Sequence, residues 1–90
     1  MANTPSAKKR IRQNAKRRMR NKLYRTRART FVKRAHQSIE AGEVETTAED
    51  VRLAVSELDR AARKGVIHRK NAARRKSRLM KRLAALEKSS

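Results

Sequence analysis

Lysine and arginine dominate the groups in this chain that could do chemistry, and their spacing is helical. Lys70, Arg74, Arg78 and Lys81 follow one another at intervals of four, four and three, which lines four cations along one side of a helix, with Arg69, Arg75, Lys76 and Arg82 flanking them. Arg25, Arg27, Arg29, Lys33 and Arg34 form a second set. A third and denser run holds Lys8, Lys9, Arg10, Arg12, Lys16, Arg17, Arg18 and Arg20. Such rows exchange condensed counterions for the phosphates of a polyanion. Asn14, Asn21 and Asn71 add side-chain amides that can hydrogen-bond bases or ribose hydroxyls.

The residue types that catalysis or metal binding would need do not converge. His36 and His68 stand alone, with no second histidine, cysteine or suitably spaced carboxylate beside them. His68 reads as a helix-start or RNA-contact residue. Glu49, Asp50, Glu57 and Asp59 lack a ligand loop and suit a helix N-terminal dipole and a solvated face. Met19 and Met80 read as packing residues. With no cysteine there is neither a disulfide nor a thiol nucleophile. The expectation is a protein without catalysis, metal or cofactor.

The elements that position these cations must be built from little apolar material. The chain has 90 residues, with 27 Lys+Arg against 8 Asp+Glu and a net charge of +19. Leu, Ile, Val and Phe number 15 of 90, below the level of roughly 20% under which a highly charged chain does not ordinarily fold alone. Charge is also segregated. Residues 1–39 carry 14 basic and no acidic side chains, residues 40–62 carry 2 and 7, and residues 63–90 carry 11 and 1. A disordered basic tail has no reason to confine its carboxylates to one middle segment, so a body with two basic elements and one acidic element is expected. The longest uncharged run, residues 1–7, is too short for a secretory core or for a membrane span of about 20 residues.

Three helices follow from the punctuation. Thr4 or Ser6 can cap a first helix over residues 6–41, with Pro5 suited to its first turn and Gly42 as the stop. Thr46 and Glu49 have capping-box spacing and Gly65 is the next stop, giving a second helix over 47–64. The third runs over 68–87 with high Ala, Lys, Arg and Leu content. Short connections make the fold all-α, a three-helix antiparallel bundle.

Apolar periodicity shows how much of each helix the bundle can hold. Ala48, Val51, Val55, Leu58 and Ala62, with Ala54 and Ala61 alongside, form a seam on the second helix; Ala72, Leu79, Leu83 and Leu86 share a face of the third. On the first, Tyr24, Ala28, Phe31, Val32, Ala35 and Ile39 cluster, but Ala7, Ile11, Ala15, Met19 and Leu23 drift onto other faces. The long first helix therefore protrudes at its N-terminal half: a single RNA-binding domain over 1–90, with a basic arm at about 6–23 and a bundle at about 24–87. The arm is expected to stay disordered until a polyanion neutralises it. The two basic helices should face that polyanion and the acidic helix two should face solvent.

Among polyanions, duplex DNA calls for a reading element such as a helix-turn-helix, which is missing, and single strands call for more aromatics than Tyr24 and Phe31. A membrane-active helix lacks Trp and Phe anchors. Shape-and-phosphate recognition of folded RNA remains. A histone-like DNA-compacting protein is the alternative, with an RNA-processing enzyme a distant third.

The order of residues adds to this reading. Ser6-Ala7-Lys8-Lys9-Arg10, Asn14, Lys16-Arg17-Arg18 and Asn21, then Lys64-Gly65-Val66-Ile67-His68 and Ala72-Ala73-Arg74-Arg75-Lys76-Ser77-Arg78-Leu79, resemble the family of bacterial small-subunit ribosomal protein number twenty. Residues 64–79 carry the most specific part of the resemblance. It adds Lys64 and Ser77 to the candidate RNA-binding residues. One departure is that many members place Asn two residues after the His, where this chain has Lys70 and then Asn71. The resemblance implies a three-helix bundle that binds small-subunit ribosomal RNA directly and early in assembly, in the cytoplasm as part of the ribosome. It further implies a bridge between the five-prime domain and the long penultimate helix of that RNA, with few or no protein contacts and no membrane.

Overall fold

A computed structural model describes residues 4–89. Residues 1–3 of the uncharged N-terminal run lie outside them. The chain forms α1 (Pro5–Ala41), α2 (Val44–Arg63) and α3 (Arg69–Ser89). Thr4 caps α1 by accepting the Ala7 N–H on its Oγ1 at 3.2 Å. Gly42 closes α1 in the left-handed conformation at φ 78°, where its N–H reaches the carbonyls of Ser38 and Ile39.

The second helix starts three residues before the expected position 47. Glu43 is its N-cap and provides no side-chain cap bond, so Thr46 and Glu49 sit inside the helix and form no capping box. Thr46 Oγ1 instead donates to Glu43 Oε2 at 3.3 Å. The Gly42 turn reverses the chain so tightly that the helix restarts at once, which leaves Thr47, fully buried, on its inner face.

A second correction concerns the place of α2. Expected to face solvent, it is the central element: α1 and α3 each pack on α2 and meet each other little. Its buried stripe is Thr47, Val51, Ala54, Glu57, Leu58 and Ala61. Ala48, Val55 and Ala62, expected in the seam, are only half-buried. Ala28 and Ala35 of α1, Ala72 and Leu79 of α3 and Val66 of the connection complete the core, with Tyr24, Phe31, Val32, Ile39 and Leu83 packed against it. Electrostatics favours the same order, since two basic helices repel and an acidic one between them pairs with both. Glu57 meets Arg27 of α1 at 3.3 Å, Asp59 meets Lys76 of α3 at 2.6 Å, and Asp50 accepts a hydrogen bond from Ser38 of α1.

Glu57 is thus not on a solvated face. It is 6% exposed; its Oε1 faces Arg27 and Arg60, while its Oε2 is buried without a hydrogen-bond partner. Both arginines are about half exposed, so removing the carboxylate strands no buried cation, and it also removes the buried Oε2 that has no partner. Glu57→Leu is therefore expected to melt no lower than the parent. A fall of more than about 5 °C, on the order of 1 kcal/mol in a domain of this size, would show that the ion pair holds the bundle.

The N-terminal half of α1 has no neighbour. At 1.5 Å per residue the helix is about 55 Å long, and the molecule measures 64 × 21 × 16 Å. Its radius of gyration is 17.7 Å, against about 12 Å for a compact chain of this length. Every residue from 8 to 20 is exposed. Met19 and Met80, expected to pack, are 69% and 57% exposed, because neither lies on a stripe that faces another helix.

Candidate nucleic-acid interface

Burial of Ala28 and Ala35 fixes the rotation of α1 and so turns Arg25, Arg29 and Lys33 outward, all exposed. Burial of Ala72 and Leu79 does the same for Arg74, Arg75, Ser77, Arg78 and Lys81 on α3. On the projecting half of α1, Lys8, Lys9, Arg10, Arg12, Asn14, Lys16, Arg17, Arg18 and Arg20 are exposed on all sides. Lys64, His68, Arg69 and Lys70 are exposed where α2 passes into α3.

Arg25 ties this connection to the arm. Its Nη2 donates to the Val66 carbonyl at 3.4 Å, so the basic residues of the connection lie at the foot of the projecting helix. His68 is held at the helix start, where its Nδ1 accepts the Lys70 N–H at 3.1 Å. Two candidates turn inward. Lys76 continues the 72–79–83 stripe and is engaged by Asp59, and Asn71 is half-buried with its Oδ1 enclosed and without a hydrogen-bond partner.

The upstream continuation of the core stripe is polar. At about 100° per residue, Arg10, Asn14, Arg17 and Asn21 share the side of α1 that carries Ala28 and Ala35, and Asn21 is half-buried at the edge of the bundle. A partner lying against the arm on that side meets amides and guanidiniums in place of alanines.

Helix ends separate α2 from its neighbours. α2 has Glu45 in its first turn and Arg60 and Arg63 in its last, in accord with the helix dipole. α1 and α3 have no acidic residue in their first turns and instead place Lys8 and Arg69 there or close by. Thr4 and His68 each accept one N–H there, but no acidic side chain complements the positive ends of these two helix dipoles. On the outside of α2, the Arg52 guanidinium donates to Glu49 at 2.6 Å and holds that carboxyl below the usual carboxylate range. This pair cancels its own charge.

His36, read from the sequence as standing alone, and Arg82, read as a flanking cation, both line a depression between α1 and α3 with Arg75 and Arg78. Among the described residues no group of three His, Cys, Asp or Glu could hold a metal ion, and no helix is long and apolar enough to cross a membrane.

The exposed cations and the inward carboxylates leave a basic outer surface, and comparison with known proteins gives the family of the chain. The family model for Ribosomal protein S20 matches residues 2–84. The chain belongs to this family. The small ribosomal subunit protein bS20 of Roseiflexus sp. (strain RS-1) is 61% identical over 84 residues, covering 93% of this chain and 91% of the relative. That of Thermomicrobium roseum is 54% identical over 89 residues, covering 99% and 90%. A third, from Saccharophagus degradans, is 49% identical over 86 residues, covering 96% and 98%. The resemblance read from residues 6–21 and 64–79 is therefore membership, and the family is one of ribosomal structural proteins, not enzymes.

Proposed function

We propose that this chain is a structural component of the small ribosomal subunit, working in the cytoplasm as part of the ribosome. It binds folded ribosomal RNA directly, by phosphate and shape recognition through α1 and α3, and stabilises that RNA during assembly. The observation that carries this reading is the sorting of charge: basic side chains line the outer faces of α1 and α3, while Glu57, Asp59 and Asp50 are spent within the bundle. The names of its relatives support the same reading. The contacts fall to the exposed cations of the arm, to Arg25, Arg29 and Lys33, and to Arg74, Arg75, Arg78 and Lys81, with Lys64, His68, Arg69 and Lys70 at the foot of the arm. The RNA segments engaged are those the family resemblance implies, the five-prime domain and the long penultimate helix, and protein contacts are few.

Competition at fixed salt tests this. A small-subunit ribosomal RNA fragment containing those segments is expected to displace labelled RNA at least about a hundredfold better than duplex DNA of equal length, because site-specific binding exceeds charge-only binding by such margins or more. Equal displacement by the DNA would support a DNA-compacting role instead.

A further inference from the structure

Because α1 and α3 both pack on α2 and meet each other little, their flanks leave an open groove of about 560 Å³. This size falls within the roughly 300–1,000 Å³ typical of small-ligand sites. Its floor is apolar, made by half-buried Val32 and the edge of Leu79. Its rim is cationic, with Arg75, Arg78 and Arg82. His36 stands between floor and rim, its Nδ1 2.9 Å from Arg82 Nη1. A guanidinium can only donate, so Nδ1 accepts and the ring proton sits on Nε2, which is left as a donor.

Phosphates alone need no apolar floor, and a paired RNA helix presents its backbone as a ridge that calls for no groove. A purely apolar ligand gains nothing from three guanidiniums. The combination fits a flat aromatic group flanked by phosphates. Resting on the RNA-binding reading above, we propose that the α1–α3 groove receives one unpaired nucleotide of the bound RNA. Its base lies against Val32 and one of the three guanidinium planes of Arg75, Arg78 and Arg82, and the other two hold the adjoining phosphates. Stacking of an unpaired base on an arginine plane is an established recognition mode for folded RNA.

The absence of cysteine makes a direct test simple. Gln37 lines the adjoining depression together with Val32, His36 and Arg75, so Gln37→Cys carrying an azidophenacyl group places a photocrosslinker at the mouth of the groove. With a small-subunit ribosomal RNA fragment, the expected product is a crosslink to one nucleotide, or two neighbours, unpaired in the free RNA. Val32→Trp in the labelled chain fills the floor and is expected to abolish this crosslink and weaken binding about tenfold, as losing one stacked base does. Crosslinks confined to paired backbone overturn the proposal. So does a Val32→Trp variant that keeps both the crosslink and full affinity. If Val32→Trp loosens the free bundle, which circular dichroism reports, the crosslink site in the otherwise unaltered chain decides alone. Failure of the RNA-binding reading is visible earlier, as equal binding to RNA and duplex DNA before irradiation, and the proposal then falls with it.

Discussion

Between 50 and 200 mM salt, the affinity of this chain for its RNA is expected to fall about ten-thousandfold. Each phosphate neutralised contributes about 0.7 to 0.9 to the negative slope of log K against log salt. Some ten such contacts, a little under half of the exposed cations on α1 and α3, give a slope near −7 and this loss over a fourfold change in salt. A slope shallower than about −3 would leave fewer than five phosphates in contact, and the basic faces could not then be the binding surface. Variants locate the source of the slope. Arg74→Ala with Arg78→Ala should flatten it by about 2, one for each lost contact, without altering the free fold, since both side chains are exposed. Arg52→Ala is the control. Arg52 is exposed too, but it lies on α2 and is engaged by Glu49, so its removal should leave the slope unchanged.

The control has to be Arg52 because the place of α2 is not legible from one helix at a time. A wheel drawn for residues 47–64 finds the apolar stripe and puts acidic residues beside it, and the stripe needs only one neighbour to be satisfied. That α2 has two neighbours follows from the whole molecule: two helices of like charge, narrow alanine faces at Ala28, Ala35 and Ala72, and carboxylates able to pair on both sides. The same three-body arrangement buries Glu57, turns Lys76 inward and opens the groove beside His36 and Arg82. Local features were legible. Gly42 and Gly65, at φ 78° and 73°, end their helices where the sequence places the stops, and the Tyr24-to-Ile39 face of α1 meets the core as its spacing requires. The start of α2 was obscured because a capping-box spacing at Thr46 competes with a tight glycine turn, and the turn wins when it brings Thr47 and Val51 onto the buried face.

The amides of residues 8–20 are expected to exchange at close to open-chain rates in the free protein, and to slow by a hundredfold or more once RNA is bound. Helical stability in proteins comes mainly from packing an apolar face, and an unsupported helix shorter than about 12–15 residues is marginal in water. This stretch is 13 residues long, every one of them exposed. Its charges make matters worse, since no acidic residue occupies the first turn of α1 and its cations crowd the positive end of the helix dipole. The Thr4 cap, the anchored downstream half of α1 and the helix propensity of its Lys, Arg and Ala favour the helix, but none of these buries an apolar face. Ala28, Ala35, Ala54 and Leu58 supply the internal reference, because their amides lie in the packed bundle and should exchange slowly in both states. Phosphates reverse the balance on the arm by removing the repulsion among its cations and supplying the anion that its N-terminus lacks. Far-UV ellipticity should therefore deepen on binding, and part of the interaction free energy is consumed in ordering the arm. Strong protection of these amides in RNA-free monomer would mean that the arm is a preformed spike, and its ordering would then take nothing from the affinity.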